Sequence, residues 1–251
     1  MMQLLSDRVA VISGAARERG IGKATAALFV EHGARVVLLD IDEAEAQHAA
    51  ADIGPQAIGI GCDVASGAAC QAAIERAIAW AGKVDVLVNN AGVTQKRRVV
   101  DITSDDYELV TDVVLRGTLN LSQAVIPGMQ ARRSGAIVCV SSMSAEQGGG
   151  VFGGAHYCAA KAGVLGLSRA MARELGPDNI RVNAIAPGLI LTDFSRSGTP
   201  DEKKHEMAQA WPLRRAGNAG EVAGVCLFLA SDLSSFMTGA TLDVNGGAHM
   251  H

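Results

Sequence analysis

The chain has 251 residues, of which 49% are hydrophobic and 19% charged, enough apolar material for a large buried core. Its net charge of −4 gives no electrostatic reason to expect nucleic acid or an anionic membrane as a partner. Apolar runs stay well below the roughly 18 residues of a membrane-spanning helix, and the N-terminus lacks the pattern of a signal peptide. Five cysteines without metal-ligand spacing predict reduced thiols in a cytoplasmic protein and no metal site.

Short apolar, β-branched runs alternate with alanine-rich segments of helical period. The predicted strands are Val9–Ser13, Val36–Leu39, Ala57–Gly61, Val84–Val88, Ala136–Val140, Arg181–Ile185 and Ala240–Val244. The predicted helices are Gly22–His32, Glu43–Ala51, Ala68–Ala81, Ser104–Arg132, Gly154–Leu175 and Ala219–Ala230. This alternation predicts an α/β fold with one doubly wound, seven-stranded parallel sheet covered by helices on both faces.

No linker or repeat interrupts this alternation, so we predict one domain over residues 1–251. Only the stretch from about 189 to 212 lacks a strong period, apart from a candidate short helix over Asp201–Ala210. Long irregular segments in compact domains often bind ligands, and we therefore predict a substrate loop here.

The first predicted strand runs into a glycine-rich segment, Gly14-Ala-Ala-Arg-Glu-Arg-Gly20-Ile-Gly22, ahead of a helix. Glycines let the backbone approach a pyrophosphate at the helix N-terminus, although a turn without a ligand can have the same composition. Asp40 ends the second strand 20 residues after Gly20, the offset of a carboxylate that binds the adenosine ribose. Asp40 would repel a 2′-phosphate and favours NAD over NADP, whereas Arg17 and Arg19 favour phosphate recognition.

Tyr157 and Lys161 are four residues apart in HYCAAKAG, so a helix would place both on one face. A lysine ammonium one turn away favours the phenolate and lowers the tyrosine pKa from its ordinary value of about 10. The pair is a candidate acid–base catalyst, but an isolated match of this kind is more often a solvated helix face.

Further motifs follow the glycine loop in a fixed order. They are Cys62-Asp63-Val64, Asn89-Asn90-Ala91-Gly92, Ser141-Ser142, Tyr157 with Lys161, Arg181-Val182-Asn183 with Pro187-Gly188, and Asp243-Val244-Asn245-Gly246-Gly247. With this ordered set the chain resembles the classical short-chain dehydrogenase/reductase family from Asp7 to Gly247, including its 3-oxoacyl-reductase-like and polyol or sugar dehydrogenase members. The resemblance implies a Rossmann fold, NAD(P)-dependent hydride transfer, and a homotetramer with Ser104–Arg132 and Gly154–Leu175 in the main interface.

The resemblance also implies the role of each matching residue. Ser142 would hold the substrate oxygen, with Ser141 and Ser144 as rivals, while Tyr157 would be the general acid or base. Lys161 would bind the nicotinamide ribose and lower the tyrosine pKa. The other implied cofactor contacts are Gly14, Arg19, Gly20, Ile21, Asp40, Asp63, Val64, Asn90, Ala91, Gly92, Pro187, Gly188, Ile190 and Thr192. Among these, Asp63 could instead be a strand-end turn residue and Thr192 a helix N-cap.

Three departures from the family pattern leave questions open. The glycine loop has two additional residues, so a cofactor contact by Arg17 or Arg19 is undecided. Ser142 and Tyr157 are 15 residues apart, two more than is often seen, with GGGVFGG in the interval. Val114 stands where the family has an asparagine that helps hold a water linked to the lysine. A proton relay would then use backbone carbonyls and water.

These observations predict an NAD(H)-dependent oxidoreductase acting on a secondary alcohol or its ketone. The alternatives are an NADP(H)-dependent 3-oxoacyl thioester reductase and a cofactor-binding relative without efficient catalysis. A polyol, a sugar acid or a 3-oxoacyl thioester would each fit as substrate. Candidate substrate contacts are Ser144, Gln147, Val151, Phe152, His156, Phe194 and Trp211, with Arg196 as an anion partner.

Overall fold

A computed structural model describes residues 3–149, 153–194 and 200–250. Its strands are β1 (Val9–Ser13), β2 (Arg35–Asp40), β3 (Ala57–Gly61), β4 (Val86–Asn89), β5 (Gly135–Val140), β6 (Ile180–Pro187), β7 (Ile190–Leu191), β8 (Gly217–Asn218) and β9 (Thr241–Val244). Seven of them form one parallel sheet in the order β3-β2-β1-β4-β5-β6-β9. The predicted α/β fold is therefore confirmed.

Helices cover both faces of this sheet. They are α1 (Ile21–Glu31), α2 (Glu43–Ile53), α3 (Gly67–Ala81), α4 (Ser104–Thr111), α5 (Gly117–Arg132), α6 (Ser144–Gln147), α7 (Ala155–Leu175), α8 (Asp201–Met207) and α9 (Ala219–Ala230). Side chains alternate across each strand, so Leu87 of β4 joins the core beneath α3, α5 and α7. Its neighbours Val86 and Val88 join the core beneath α1, α2 and α9.

The predicted helix over Ser104–Arg132 is helical along its whole length, but its α-helical hydrogen bonding is interrupted in the middle. A π-helical turn, Asp112–Arg116, separates α4 from α5. Gly117 follows this turn, and a Cβ there would lie 2.7 Å from Val64 Cγ2, so the helix approaches the end of β3 closely. Such π-turns are often found at functional sites.

The stretch from 189 to 212 has more structure than its irregular sequence indicates. β7 pairs with β8 in a separate two-stranded parallel sheet. The predicted helix over Asp201–Ala210 is α8 followed by a 3-10 turn at Ala208–Ala210. Over the part of the chain described, every helix is too short or too polar to cross a lipid bilayer.

Candidate active site

The glycine loop after β1 fits tightly against the end of β4. Gly14 has a φ of +63°, and a Cβ there would lie 2.8 Å from Ala91 Cα. A Cβ on Gly22 would lie 2.6 Å from the Gly14 carbonyl oxygen. Asn90 fastens the loop, because its Nδ2 donates to the backbone oxygens of Ser13 and Gly14 at 2.9 Å each. The loop therefore requires glycine at two of its positions.

The N-terminus of α1 has the features of an anion site. Its N-cap, Gly20, has an extended backbone with no side-chain cap, and the first turn holds no acidic residue. The first N–H groups of a helix have no partner within the helix, and its dipole favours negative charge at this end. Together with the close backbone approach of the loop, this end of α1 fits the pyrophosphate of a dinucleotide.

The predicted adenosine contacts lie at the ends of β2 and β3. The Asp40 carboxylate accepts hydrogen bonds from Ala16 N at 3.1 Å and Ile41 N at 2.9 Å, so it also supports the glycine loop. Asp63 accepts from Ala65 N at 3.0 Å, which is the turn role considered from the sequence. Next to it, Val64 is 7% exposed.

The catalytic candidates meet at the end of β5. Tyr157 and Lys161 lie on α7 and are 7% and 3% exposed. Lys161 Nζ lies 5.8 Å from the centroid of the Tyr157 ring and donates to the Val140 carbonyl at 2.6 Å. The Ser142 side chain is close enough to Tyr157 to lower the pKa of its hydroxyl. The structure thus brings together the three side chains predicted to be catalytic.

The neighbouring serines have other partners. Ser141 is buried, and its hydroxyl donates to the Lys161 carbonyl at 2.8 Å, which fixes α7 to the end of β5. The backbone N–H of Ser144 donates to the Ser142 hydroxyl at 3.1 Å. This contact orients Ser142, which among the three serines is the one that influences the pKa of Tyr157.

Burial is the largest influence on the pKa values of Tyr157 and Lys161. Burial raises the pKa of Tyr157 to about 12, and the Ser142 side chain acts in the opposite direction. Burial lowers the pKa of Lys161 to about 8. The direction for Tyr157 is opposite to that predicted from the four-residue spacing, because loss of solvent disfavours the phenolate more than its neighbours stabilise it.

This burial of Lys161 predicts a pH-dependent stability. Between its folded pKa of about 8 and its ordinary 10.5, the unfolded chain holds a proton that the folded protein has lost. Stability from this group is therefore present above pH 10.5 and is lost as the pH falls through 8. We expect the unfolding free energy of the wild type, relative to Lys161→Met, to rise by about 2 kcal/mol from about pH 7.5 to 9.5. Urea denaturation at each pH measures this, and parallel curves for the two proteins would contradict it.

The predicted nicotinamide contacts follow β6. Gly188 N donates to the Val244 carbonyl at 3.0 Å, and a Cβ on Gly188 would lie 2.8 Å from Asn245 Cα. Further along the chain, Thr192 is 7% exposed, and its hydroxyl accepts from Phe194 N at 3.4 Å. Asp193 and Phe194 are not helical, so this is a turn contact and not the helix N-cap considered from the sequence.

Gly92 lies between Lys161 and Phe194. A Cβ built on Gly92 would be in ordinary contact with Lys161 Nζ at 3.7 Å and Phe194 Cε2 at 3.7 Å. The Phe194 and Tyr157 ring centroids are 6.2 Å apart. Phe194 therefore lies beside Tyr157, and its role as a substrate contact stays a prediction.

Comparison with known proteins identifies the family. Over 252 aligned positions, covering 99% of this chain and all of the relative, the sequence is 51% identical to an uncharacterized short-chain type dehydrogenase/reductase, y4mP, of Sinorhizobium fredii. The chain belongs to the short-chain dehydrogenase/reductase family. A family model described as enoyl-(acyl carrier protein) reductase matches residues 14–249.

Relatives within this family have different named substrates. The chain is 40% identical to a 3-oxoacyl-[acyl-carrier-protein] reductase of Chlamydia muridarum, with 98% of this chain and 99% of the relative aligned. A crystal structure of a 3-oxoacyl-[acyl-carrier protein] reductase with bound NAD from Brucella melitensis matches with a TM-score of 0.90 at 38% identity, covering 100% of this chain and 94% of that one. Levodione reductase matches with a TM-score of 0.90 at 30% identity, covering 97% and 98%. These matches establish an oxidoreductase fold and family, and they leave the substrate to be proposed.

Val114 occupies the position at which this dehydrogenase/reductase departs from the family pattern. It lies in the π-turn, is 1% exposed, and its Cγ2 would be 3.8 Å from a Cβ on Gly92. Its carbonyl accepts from the Thr118 hydroxyl at 2.7 Å. The valine side chain thus presents an apolar surface near Lys161. The backbone carbonyl of Val114 already accepts a hydrogen bond. Thr118 has no distinguishing sequence motif and was not predicted.

The remaining substrate candidates are scattered. Gln147 is exposed and Trp211 is half-buried, whereas Phe152, Val151 and Arg196 lie outside the described residues. His156 is 2% exposed, and its Nε2 lies 3.1 Å from Gln95 Oε1. It lines a groove of about 540 Å³ between α4 and α7. His156 thus has a structural contact with Gln95. His156 lies on a different face of α7 from Tyr157 and Lys161.

Proposed function

We propose that the protein is an NAD(H)-dependent oxidoreductase that transfers hydride reversibly between a secondary alcohol and the corresponding ketone. The observation that carries this proposal is the grouping of Tyr157, Ser142 and buried Lys161 at the end of β5, next to Gly92. The nicotinamide ring, when bound, supplies hydride acceptance or donation. Ser142 holds the substrate oxygen, and Tyr157 takes its proton during oxidation or returns it during reduction.

Asp40 supports NAD as the cofactor. Its carboxylate lies beside the glycine loop, where it would bind the ribose hydroxyls and repel a 2′-phosphate. Arg19, which could favour NADP, is paired with Asp193 and Asp201. The NAD-bound Brucella melitensis reductase supports the same assignment. The residues that would hold the cofactor are Gly14, Gly20, Ile21, Asp40, Asp63, Val64, Asn90, Ala91, Gly92, Tyr157, Lys161, Pro187, Gly188, Ile190 and Thr192.

A second candidate is an NADP(H)-dependent 3-oxoacyl thioester reductase. The names of the Chlamydia muridarum and Brucella melitensis relatives favour this substrate class over a polyol or a sugar. A non-catalytic cofactor-binding relative is the third candidate, and Val114 is the observation that favours it, because a valine side chain cannot carry a proton.

We also propose that the chain is a single domain and that four copies assemble through α4, α5 and α7. Val99, Val100, Tyr107 and Leu109 are 72%, 78%, 51% and 49% exposed near the groove between α4 and α7, an apolar surface suited to a second copy. Five free cysteines support a reducing, cytoplasmic environment. Native mass spectrometry reports the subunit number, and a monomer at micromolar concentration would contradict the assembly.

The proposed function is tested with a panel of polyols, sugar acids, simple ketones and 3-oxoacyl thioesters, followed by NAD(P)H absorbance. We expect turnover of at least one alcohol–ketone pair with a preference for NAD(H). Turnover of thioesters with a preference for NADPH would favour the second candidate. Tight NADH binding without turnover of any compound would favour the third.

A further inference from the structure

The two arginines of the glycine loop reach different parts of the molecule. Arg17 lies 3.7 Å from Glu45 of α2, close to the loop itself. Arg19 extends to the stretch beyond β7, where its Nη2 lies 2.5 Å from Asp201 Oδ2. Its Nη1 lies 4.0 Å from Asp193 Oδ1. The longer glycine loop therefore supplies an arginine that is engaged by two carboxylates from another part of the chain.

These carboxylates are connected to the predicted nicotinamide contact. Lys204 is 4% exposed, and its Nζ donates to the Thr192 carbonyl at 3.1 Å. The same Nζ lies 3.7 Å from Asp201 Oδ1. Asp201 thus joins Arg19 to a buried lysine that holds the backbone at Thr192. Asp193, the second partner of Arg19, is the next residue after Thr192.

This chain of contacts joins the two segments between which the proposed cofactor would bind. The glycine loop follows β1 and Thr192 follows β6, while β4 and β5 lie between these strands in the sheet. At the usual strand spacing this separation is about 14 Å. The N-terminus of α1, where the pyrophosphate would bind, lies on the β1 side of the span.

We propose that Arg19 is a positioning residue that joins the glycine loop to the segment containing Asp193 and Asp201 across the bound dinucleotide. We call this set of ion pairs the clasp. Arg19 acts through Asp193 and Asp201 and does not contact the cofactor phosphates. The clasp slows cofactor release and holds Thr192 near the nicotinamide end. This inference rests on the proposed function, because it requires a dinucleotide between these two segments.

The side chains of Arg19 and Asp201 are 48% and 36% exposed, and exposed ion pairs make modest contributions that salt screens. We therefore expect Arg19→Gln to accelerate NADH dissociation by about 3–10-fold. Dissociation from the wild type should accelerate as ionic strength rises, and dissociation from the variant should change much less.

Stopped-flow fluorescence measures NADH dissociation from the full-length protein without a known substrate. The proteins compared are the wild type, Arg19→Gln, Asp201→Asn and the double variant. The clasp predicts that each single variant releases NADH faster and that the double variant is no faster than Arg19→Gln. Arg17→Gln is the matched control, because it removes the same charge from the same loop and leaves both partners of Arg19 in place. We expect its rate to equal that of the wild type.

Two results would overturn the clasp alone. One is wild-type release rates in both single variants. The other is faster release from Arg19→Gln with unchanged or slower release from Asp201→Asn, since that pattern means that Arg19 binds the cofactor directly. Failure of the wild type to bind either NADH or NADPH would instead overturn the proposed function, and the clasp with it.

Discussion

Replacing Tyr157 with phenylalanine is expected to lower turnover by about 10²–10⁴-fold, the usual contribution of a general acid or base. The substitution removes only the hydroxyl, whose pKa Ser142 influences, and the ring keeps its packing beside Phe194. NADH affinity should therefore stay within about twofold of the wild type, because the change is volume-conserving. Steady-state NADH absorbance gives the turnover, and NADH fluorescence titration gives the affinity.

The chain contains a matched control for this substitution. Tyr107, the other of its two tyrosines, lies on α4 and is 51% exposed. Tyr107→Phe removes the same atom at a distance from the reaction centre, so we expect wild-type turnover. Full turnover in Tyr157→Phe, or an equal loss in both variants, would remove Tyr157 from the proton-transfer step.

Adding a single methyl group at Gly22 is expected to weaken NADH binding by about 100-fold. A Cβ there would lie 2.6 Å from the Gly14 oxygen, 2.8 Å from Ala15 Cα and 2.9 Å from Asn90 Nδ2. Two of these atoms belong to the backbone of the glycine loop, so the loop must move away from α1. We expect the unfolding free energy to fall by about 1–3 kcal/mol as well. A 100-fold loss in affinity corresponds to about 2.8 kcal/mol in binding.

The same substitution at Gly166 provides the control. Gly166 lies within α7, and a Cβ there meets nothing within 4 Å. Alanine favours a helix over glycine by about 0.5–1 kcal/mol, so Gly166→Ala should keep NADH affinity and gain slightly in stability. Fluorescence titration and urea denaturation test both variants, and wild-type affinity in Gly22→Ala would show that the loop does not form the binding site.

The strands and most helices could be predicted because their signal is local. β1, β3 and α9 have the predicted bounds, since a short apolar run or a capped amphipathic segment carries its own limits. The π-turn could not be predicted in this way. It accompanies the close approach of Gly117 to Val64, two residues that are far apart in the chain.

The site likewise divides into residues that a local motif identifies and properties that depend on the tertiary structure. The motif order identified Ser142, Tyr157 and Lys161, and the structure places them together. The raised pKa of Tyr157 was predicted with the wrong sign, because spacing along a helix says nothing about how completely a side chain is desolvated.

Other partners required the tertiary structure. Arg19 meets carboxylates 174 and 182 residues away in sequence, which no local pattern indicates. Near the end of the described chain, His249 Nε2 lies 3.2 Å from Glu146 Oε2 on α6. These contacts form because the segments that follow β6 and β9 lie close to the glycine loop and to α6 in the folded protein.

The destination of the transferred hydride tests the proposed reaction most directly. NADH carrying deuterium at both positions of nicotinamide C4 is incubated with the best ketone of the panel, and the product is examined by NMR. We expect deuterium on the carbinol carbon of the product alcohol, with transfer strongly reduced in Tyr157→Phe. A product alcohol without deuterium on its carbinol carbon, or deuterium on a carbon of a reduced C=C bond when an enoyl thioester is the only compound consumed, would contradict this reaction.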